Sequence, residues 1–139
     1  PDGSYIRRDQ LKWLLNKLRS VETVIVDESF IHFAYETDSD EIPSAMEYLN
    51  KMNNLVIIKS MSKDFGIAGL RVGYVAMHPD RINHLLSKGF LWNISGLGEY
   101  FFKLYSKDKF WDKYNIIRRM IIDYYKCNKF IKNDAYIIN

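Results

Sequence analysis

Apolar positions recur along this chain with two alternating periods. Between residues 8 and 19, Leu11, Leu14, Leu15 and Leu18 fall at helical spacing, with Lys12, Lys17 and Arg19 on the opposite face. That pattern predicts an amphipathic helix. Thr23-Val24-Ile25-Val26 is a short β-branched run ending in Asp27-Glu28, which reads as a buried strand. From Pro43 to Met52, a proline near the start and apolar Met46, Leu49 and Met52 predict a second helix. Asn53-Asn54 supplies a turn, and Leu55-Val56-Ile57-Ile58 is the next strand. Strand, helix, strand predicts a parallel α/β sheet.

From Ser60 to Gly73 the periodicity stops in a segment dense in Ser and Gly, followed by a third strand at Val72 to Met77. A loop of that composition between two strands is a usual place for chemistry. A short helix is expected near Asp80 to Ser87, then an irregular stretch from Gly89 to Gly98. Helical pattern then continues through Asn128, with Phe110, Tyr114, Ile117, Ile121 and Tyr124 forming one apolar stripe. Unbroken from Leu97 to Lys129, such a helix would reach roughly 50 Å at 1.5 Å per residue. Either Ser106-Lys107-Asp108-Lys109 breaks it or it bridges two domains.

Composition narrows the class. The 139 residues are 47% hydrophobic and 15% aromatic, ample for a packed core. Twenty basic against 17 acidic residues give +3, too diffuse for a nucleic-acid footprint. One cysteine, Cys127, excludes an internal disulfide framework and suits a reducing, cytoplasmic setting. Three histidines and one thiol offer no zinc spacing, so no metal is expected. Apolar runs are far shorter than a membrane span. The chain opens on Pro1-Asp2-Gly3 without a Met, so a native start is not expected there.

Two elements carry chemistry. The strand ending in Asp27-Glu28 is ambiguous alone, because a magnesium-holding acid closes the same pattern in nucleoside triphosphatases. No Gly-x4-Gly-Lys-Ser/Thr loop accompanies it here. The second element is Ser60-Met61-Ser62-Lys63-Asp64-Phe65-Gly66-Ile67-Ala68-Gly69-Leu70-Arg71-Val72-Gly73-Tyr74. It resembles the Ser-x-Ser-Lys-x-x-Gly-x-x-Gly-Leu-Arg-x-Gly-Tyr signature of the class I/II aminotransferases, pyridoxal-phosphate enzymes of fold type I. In that family an Asp-Glu-x-Tyr/Phe strand end precedes the Schiff-base lysine by a few dozen residues, as Asp27 precedes Lys63 here. Pro1-Asp2-Gly3 is similar to the tail of the family's Asn-Pro-x-x-Pro-x-Gly turn. Trp92-Asn93-Ile94-Ser95 is similar to the segment leading into its interdomain helix. Asp27-Glu28-Ser29-Phe30-Ile31-His32-Phe33 most resembles the histidinol-phosphate aminotransferase and threonine-phosphate decarboxylase branch.

The resemblance implies the later half of a fold type I large domain, a mainly parallel sheet with flanking helices, leading by a long helix into a small C-terminal domain. Residues 1–95 would belong to the large domain and 96–139 to the interdomain helix and the start of the small one. It implies pyridoxal 5'-phosphate as cofactor, an electron sink for bonds broken at a substrate α-carbon. Asp27 would pair with the pyridine nitrogen, and Lys63 would form the Schiff base and shuttle a proton. Ser60, Ser62 and Arg71 would bind the cofactor phosphate through two hydroxyls and a guanidinium that can hold two oxygens. Gly66, Gly69 and Gly73 would permit tight turns or close backbone approach.

Phe30 departs from the Tyr that many aminotransferases carry there, and resembles the threonine-phosphate decarboxylase type. The expected activity is transamination of an amino acid or amino-phosphate substrate, with decarboxylation of a phosphorylated amino acid as the alternative and a non-catalytic fragment as a third reading. His32 reads as structural, Cys127 as inert, and the aromatics of residues 92–125 as core and interface packing. The resemblance further implies a homodimer, a small-molecule amino acid substrate, and no nucleic-acid or membrane partner. Family members also carry an N-terminal half and a C-terminal substrate-binding arginine that this chain lacks, so alone it is expected to be catalytically silent.

Overall fold

The computed structural model describes residues 4–36, 41–89, 94–127 and 135–137, with main chain alone at 125–127 and 135–137. Pro1-Asp2-Gly3 and Trp92-Asn93 lie outside the described residues, as does the Cys127 side chain. Helix α1 (Arg8–Lys17) forms where the leucine stripe predicts it. Its first turn is tied by two hydrogen bonds that satisfy otherwise free amides: Arg7 N–H donates to Gln10 Oε1 (3.2 Å) and Arg8 N–H to Glu36 Oε1 (2.8 Å). Leu11 and Leu15 bury themselves against Val24, Ala45, Met52, Leu55 and Ile57, forming the largest apolar cluster beneath the sheet.

The strands are β1 (Val24–Asp27), β2 (Ala34–Glu36), β3 (Leu55–Ser60), β4 (Gly73–Met77) and β5 (Ala135–Ile137). β3 lies centrally, with β1 parallel on one side, Asp27 opposite Ile58, and β4 antiparallel on the other, Ser60 opposite Gly73. β2 and β5 form a separate antiparallel ribbon. β1 and β3 form the parallel pair that the strand-helix-strand grammar predicts, and β4 adds an antiparallel strand to it. The chain between β3 and β4 contains only one short 3-10 turn, Ala68–Leu70, instead of a crossover helix. Met61 N–H donates to the Val72 carbonyl at 3.1 Å, continuing the ladder so that the chain doubles back. Gly73 is required by this pairing, since a Cβ there would stand 2.5 Å from the Lys59 carbonyl oxygen.

The buried strand expected at β1 is buried on one face: Val24 is 8% exposed but Ile25 63%, and Val75 of β4 is 48% exposed. Among the described residues, α1 and a 3-10 helix at Ala45–Lys51 cover the other face. That 3-10 helix replaces the α-helix expected over Pro43 to Met52. Its start is held by Glu28, whose carboxylate accepts from Ser44 Oγ (2.8 Å) and from Ala45 N–H (2.5 Å).

Helices α2 (Pro79–Leu86), α3 (Gly96–Tyr105) and α4 (Asp108–Cys127) follow. The long helical pattern breaks at Ser106-Lys107, one of the two outcomes left open by its length. Ser95 caps α3 by accepting from Gly98 N–H at 3.1 Å. α4 does not use the whole expected stripe: Phe110 and Tyr114 pack inward, but Ile117, Ile121 and Tyr124 are exposed. Its buried face continues instead through Arg118 and Ile122. The Arg118 guanidinium donates to the carbonyls of His32 (2.8 Å) and Ala34 (2.7 Å), which secures a charged side chain in that buried row. No helix among the described residues is long and apolar enough to cross a membrane.

Candidate active site

The end of β1 positions the first two candidate residues. Asp27 is solvent-facing, and its Oδ1 accepts from Ser29 N–H at 2.9 Å, an Asx turn that aims the carboxylate and turns the chain. The neighbouring acid has the opposite fate: Glu28 is buried and spent on Ser44 and Ala45. Asp27 and Phe30 line a recess of about 270 Å³.

The end of β3 and the loop after it place the others. Ser60 N–H donates to Ser29 Oγ (3.1 Å), which joins the two strand ends, and Ser60 Oγ accepts from Ser62 N–H (3.2 Å). The Arg71 guanidinium reaches Ser62 Oγ at 3.5 Å and the Ala68 carbonyl at 3.1 Å. Arg71 adopts φ 52, ψ 50, a left-handed conformation that costs a non-glycine residue on the order of 1 kcal/mol or more and is held by its surroundings. Here it folds the side chain back over the Ser62 turn. Gly66 takes the same conformational region at φ 65, whereas a Cβ on Gly69 would meet open space. Ser29, Ser60, Ser62 and Arg71 line one concavity of about 710 Å³. Two hydroxyls and a guanidinium on one wall fit a phosphate monoester, an acceptor-rich dianion that such donors bind.

Lys63 is exposed, with Nζ 5.8 Å from the centre of the Phe30 ring. Structure thus brings together Ser60, Ser62 and Arg71 as one group and Asp27 with Phe30 as a second. Ser29 lines both recesses, and Lys63 stands over Phe30.

Behind the lysine lies a cluster of which sequence reasoning singled out only His32, as a structural residue. Asp64 Oδ2 accepts from Lys59 Nζ at 2.5 Å and lies 2.9 Å from His32 Nδ1, and the side chains of Lys59 and Asp64 are fully buried. Lys59 Nζ also donates to the Glu28 carbonyl (3.1 Å), and His32 Nδ1 is 3.0 Å from the Tyr114 hydroxyl. Burial alone would raise the Asp64 pKa, but the hydrogen bonds from His32 and Lys59 outweigh it and hold the carboxyl below its ordinary value. His32 is pushed down, first by burial and then by the charge of Lys59. Burial raises the Tyr114 hydroxyl. The one signal available beforehand was Lys59 in an otherwise apolar strand, a charge at a position the pattern buries. Around the cluster, Phe65 packs on Phe101, Tyr105, Phe110 and Tyr114, with centroids 4.8 to 5.8 Å away.

Over 123 residues, 88% of this chain and 31% of the relative, the sequence is 52% identical to an L-serine phosphate decarboxylase of Campylobacter jejuni. It is 32% identical to a histidinol-phosphate aminotransferase of Staphylococcus carnosus over 100 residues, 72% of this chain and 27% of that protein. The chain thus spans under a third of the length of these curated relatives, 31% and 27%. A solved decarboxylase from Sulfurospirillum multivorans superposes with a TM-score of 0.82 at 42% identity, covering 92% of this chain and 36% of that one. The fold is accordingly part of the fold type I architecture of pyridoxal-phosphate enzymes. With the profile of aminotransferase class I and II matching residues 1–108, this chain belongs to that pyridoxal 5'-phosphate-dependent family.

Proposed function

We propose that the chain is the lysine-bearing part of a decarboxylase that acts on a phosphorylated amino acid. The observation that carries this reading is the 52% identity to an L-serine phosphate decarboxylase, against 32% to a histidinol-phosphate aminotransferase. Transamination, the first expectation from sequence, is therefore less well supported than its alternative. Phe30 favours the same choice: its ring offers Lys63 a π-face and no hydroxyl donor.

When bound, pyridoxal phosphate supplies the electron sink that makes loss of carbon dioxide from an amino acid feasible. Ser60, Ser62 and Arg71 would hold its phosphate, and Asp27, whose carboxylate is aimed by the Ser29 amide, would pair with the ring nitrogen. Lys63 would tether the group through Nζ and, once the substrate amine has displaced it, would stand as a free amine able to take up a proton and deliver it to the substrate carbon. Residues 1–95 form part of the cofactor domain, and α3, opening at Gly96, begins the connection to a smaller one. The full-length protein acts as a homodimer on a small-molecule substrate.

The test uses the full-length protein with L-serine phosphate and pyridoxal phosphate. Ethanolamine phosphate and carbon dioxide in equal amounts support the reading, and a keto acid with aminated cofactor supports transamination instead. Borohydride reduction followed by peptide mapping should find the pyridoxyl mass on Lys63, and a label elsewhere would refute the site assignment.

A further inference from the structure

Three segments that carry candidate site residues converge on one buried carboxylate. Asp64 directly follows Lys63. Its ion-pair partner Lys59 precedes Ser60 on β3, and its second partner His32 lies two residues beyond Phe30. Lys59 in turn binds the carbonyl of Glu28, the residue after Asp27. With Asp64 ionised, His32 must carry its proton on Nδ1, since a bare Nδ1 would set a lone pair against the carboxylate. His32 then donates to Asp64, and burial holds its pKa below the ordinary value.

The flanks of Lys63 are both fixed, while its own side chain is exposed beside the Phe30 ring. On one side Ser62 is buried and hydrogen-bonded to Ser60. On the other, Asp64 is locked from two directions. A buried ion pair contributes little stability relative to apolar side chains of similar volume, but it strongly disfavours arrangements that separate the two charges. We infer that Asp64 is a positioning residue: by pairing with Lys59 and His32 it fixes the lysine loop against the ends of β1 and β3, so that Lys63 Nζ meets the cofactor in one geometry. This rests on Lys63 being the tethering lysine.

The experiment uses full-length holoenzyme. Wild type, Lys59→Met/Asp64→Leu, Asp64→Asn and Leu15→Ala are compared, the last lowering stability in the core beneath α1, away from the cluster. Each is reduced with borohydride and mapped, then measured for thermal midpoint, kcat, KM and the visible circular dichroism of bound cofactor. Both cluster variants should retain the label on Lys63 but lose about 10- to 100-fold in kcat, with KM changed less than about threefold. Their visible dichroism should fall, because it reports the fixed asymmetry of the tethered ring. Leu15→Ala should lower the midpoint without altering kcat or dichroism. If the double variant does not fold, Asp64→Asn against Leu15→Ala decides the matter. A labelled Asp64→Asn enzyme with wild-type kcat and dichroism would overturn the positioning role alone. Wild type without label on Lys63 would overturn it together with the proposed function.

Discussion

Replacing Arg118 with Met tests whether α4 holds the segment that follows the Phe30 turn. The substitution keeps an unbranched stem in the buried row and removes the guanidinium. Two hydrogen bonds disappear, to the carbonyls of His32 at 2.8 Å and Ala34 at 2.7 Å. Hydrogen bonds from a charged donor contribute about 1.5 to 3 kcal/mol each, so the expected local loss is at least about 3 kcal/mol. At a factor of ten per 1.4 kcal/mol, opening of this segment should become roughly 100-fold more frequent. Native-state hydrogen exchange by mass spectrometry reads that frequency locally in the full-length protein, without assuming a two-state melt. Peptides spanning residues 31–36 should exchange faster by that factor, while β3 peptides in the main sheet change little. Wild-type exchange in residues 31–36 would show that Arg118 is not what closes this region, and the role drawn for α4 would fall.

Glu28→Ala removes the acceptor for Ser44 Oγ and the buried Ala45 amide and should lower stability by about 2 to 4 kcal/mol, seen as a reduced thermal midpoint. An unchanged midpoint would mean that the 3-10 helix needs no anchor. Gly73→Ala should cost about 1 to 3 kcal/mol as the added methyl meets the Lys59 carbonyl, whereas Gly69→Ala should stay within about 0.5 kcal/mol. Parallel melts compare the pair, and equal losses would contradict the backbone contact. His32 has a folded pKa below its unfolded 6.5 and Asp64 one below its unfolded 3.8, so each contribution is complete above the unfolded value and lost as pH falls through the folded one. The melting temperature should therefore fall on acidification below pH 6.5, less steeply in His32→Gln, and parallel profiles would refute the assignment to His32.

Local pattern in the sequence determined a good deal of this protein. The leucine stripe of α1, the β-branched runs of β1 and β3, and the Ser-x-Ser-Lys loop with its distant Arg71 were all legible, because each signal lies within a few residues of itself. The family followed from that loop. Tertiary structure alone decided which way β4 runs, since the Met61 to Val72 contact, not any residue propensity, doubles the chain back. It also decided that Asp27 faces solvent while Glu28 is buried, two adjacent acids that composition cannot tell apart. Lys59, Asp64, His32 and Arg118 were the hardest to foresee. A charged or polar side chain can be buried only where partners satisfy it, and here the partners include groups from β1's continuation, β3, the lysine loop and α4. Their coincidence exists only once the chain has folded.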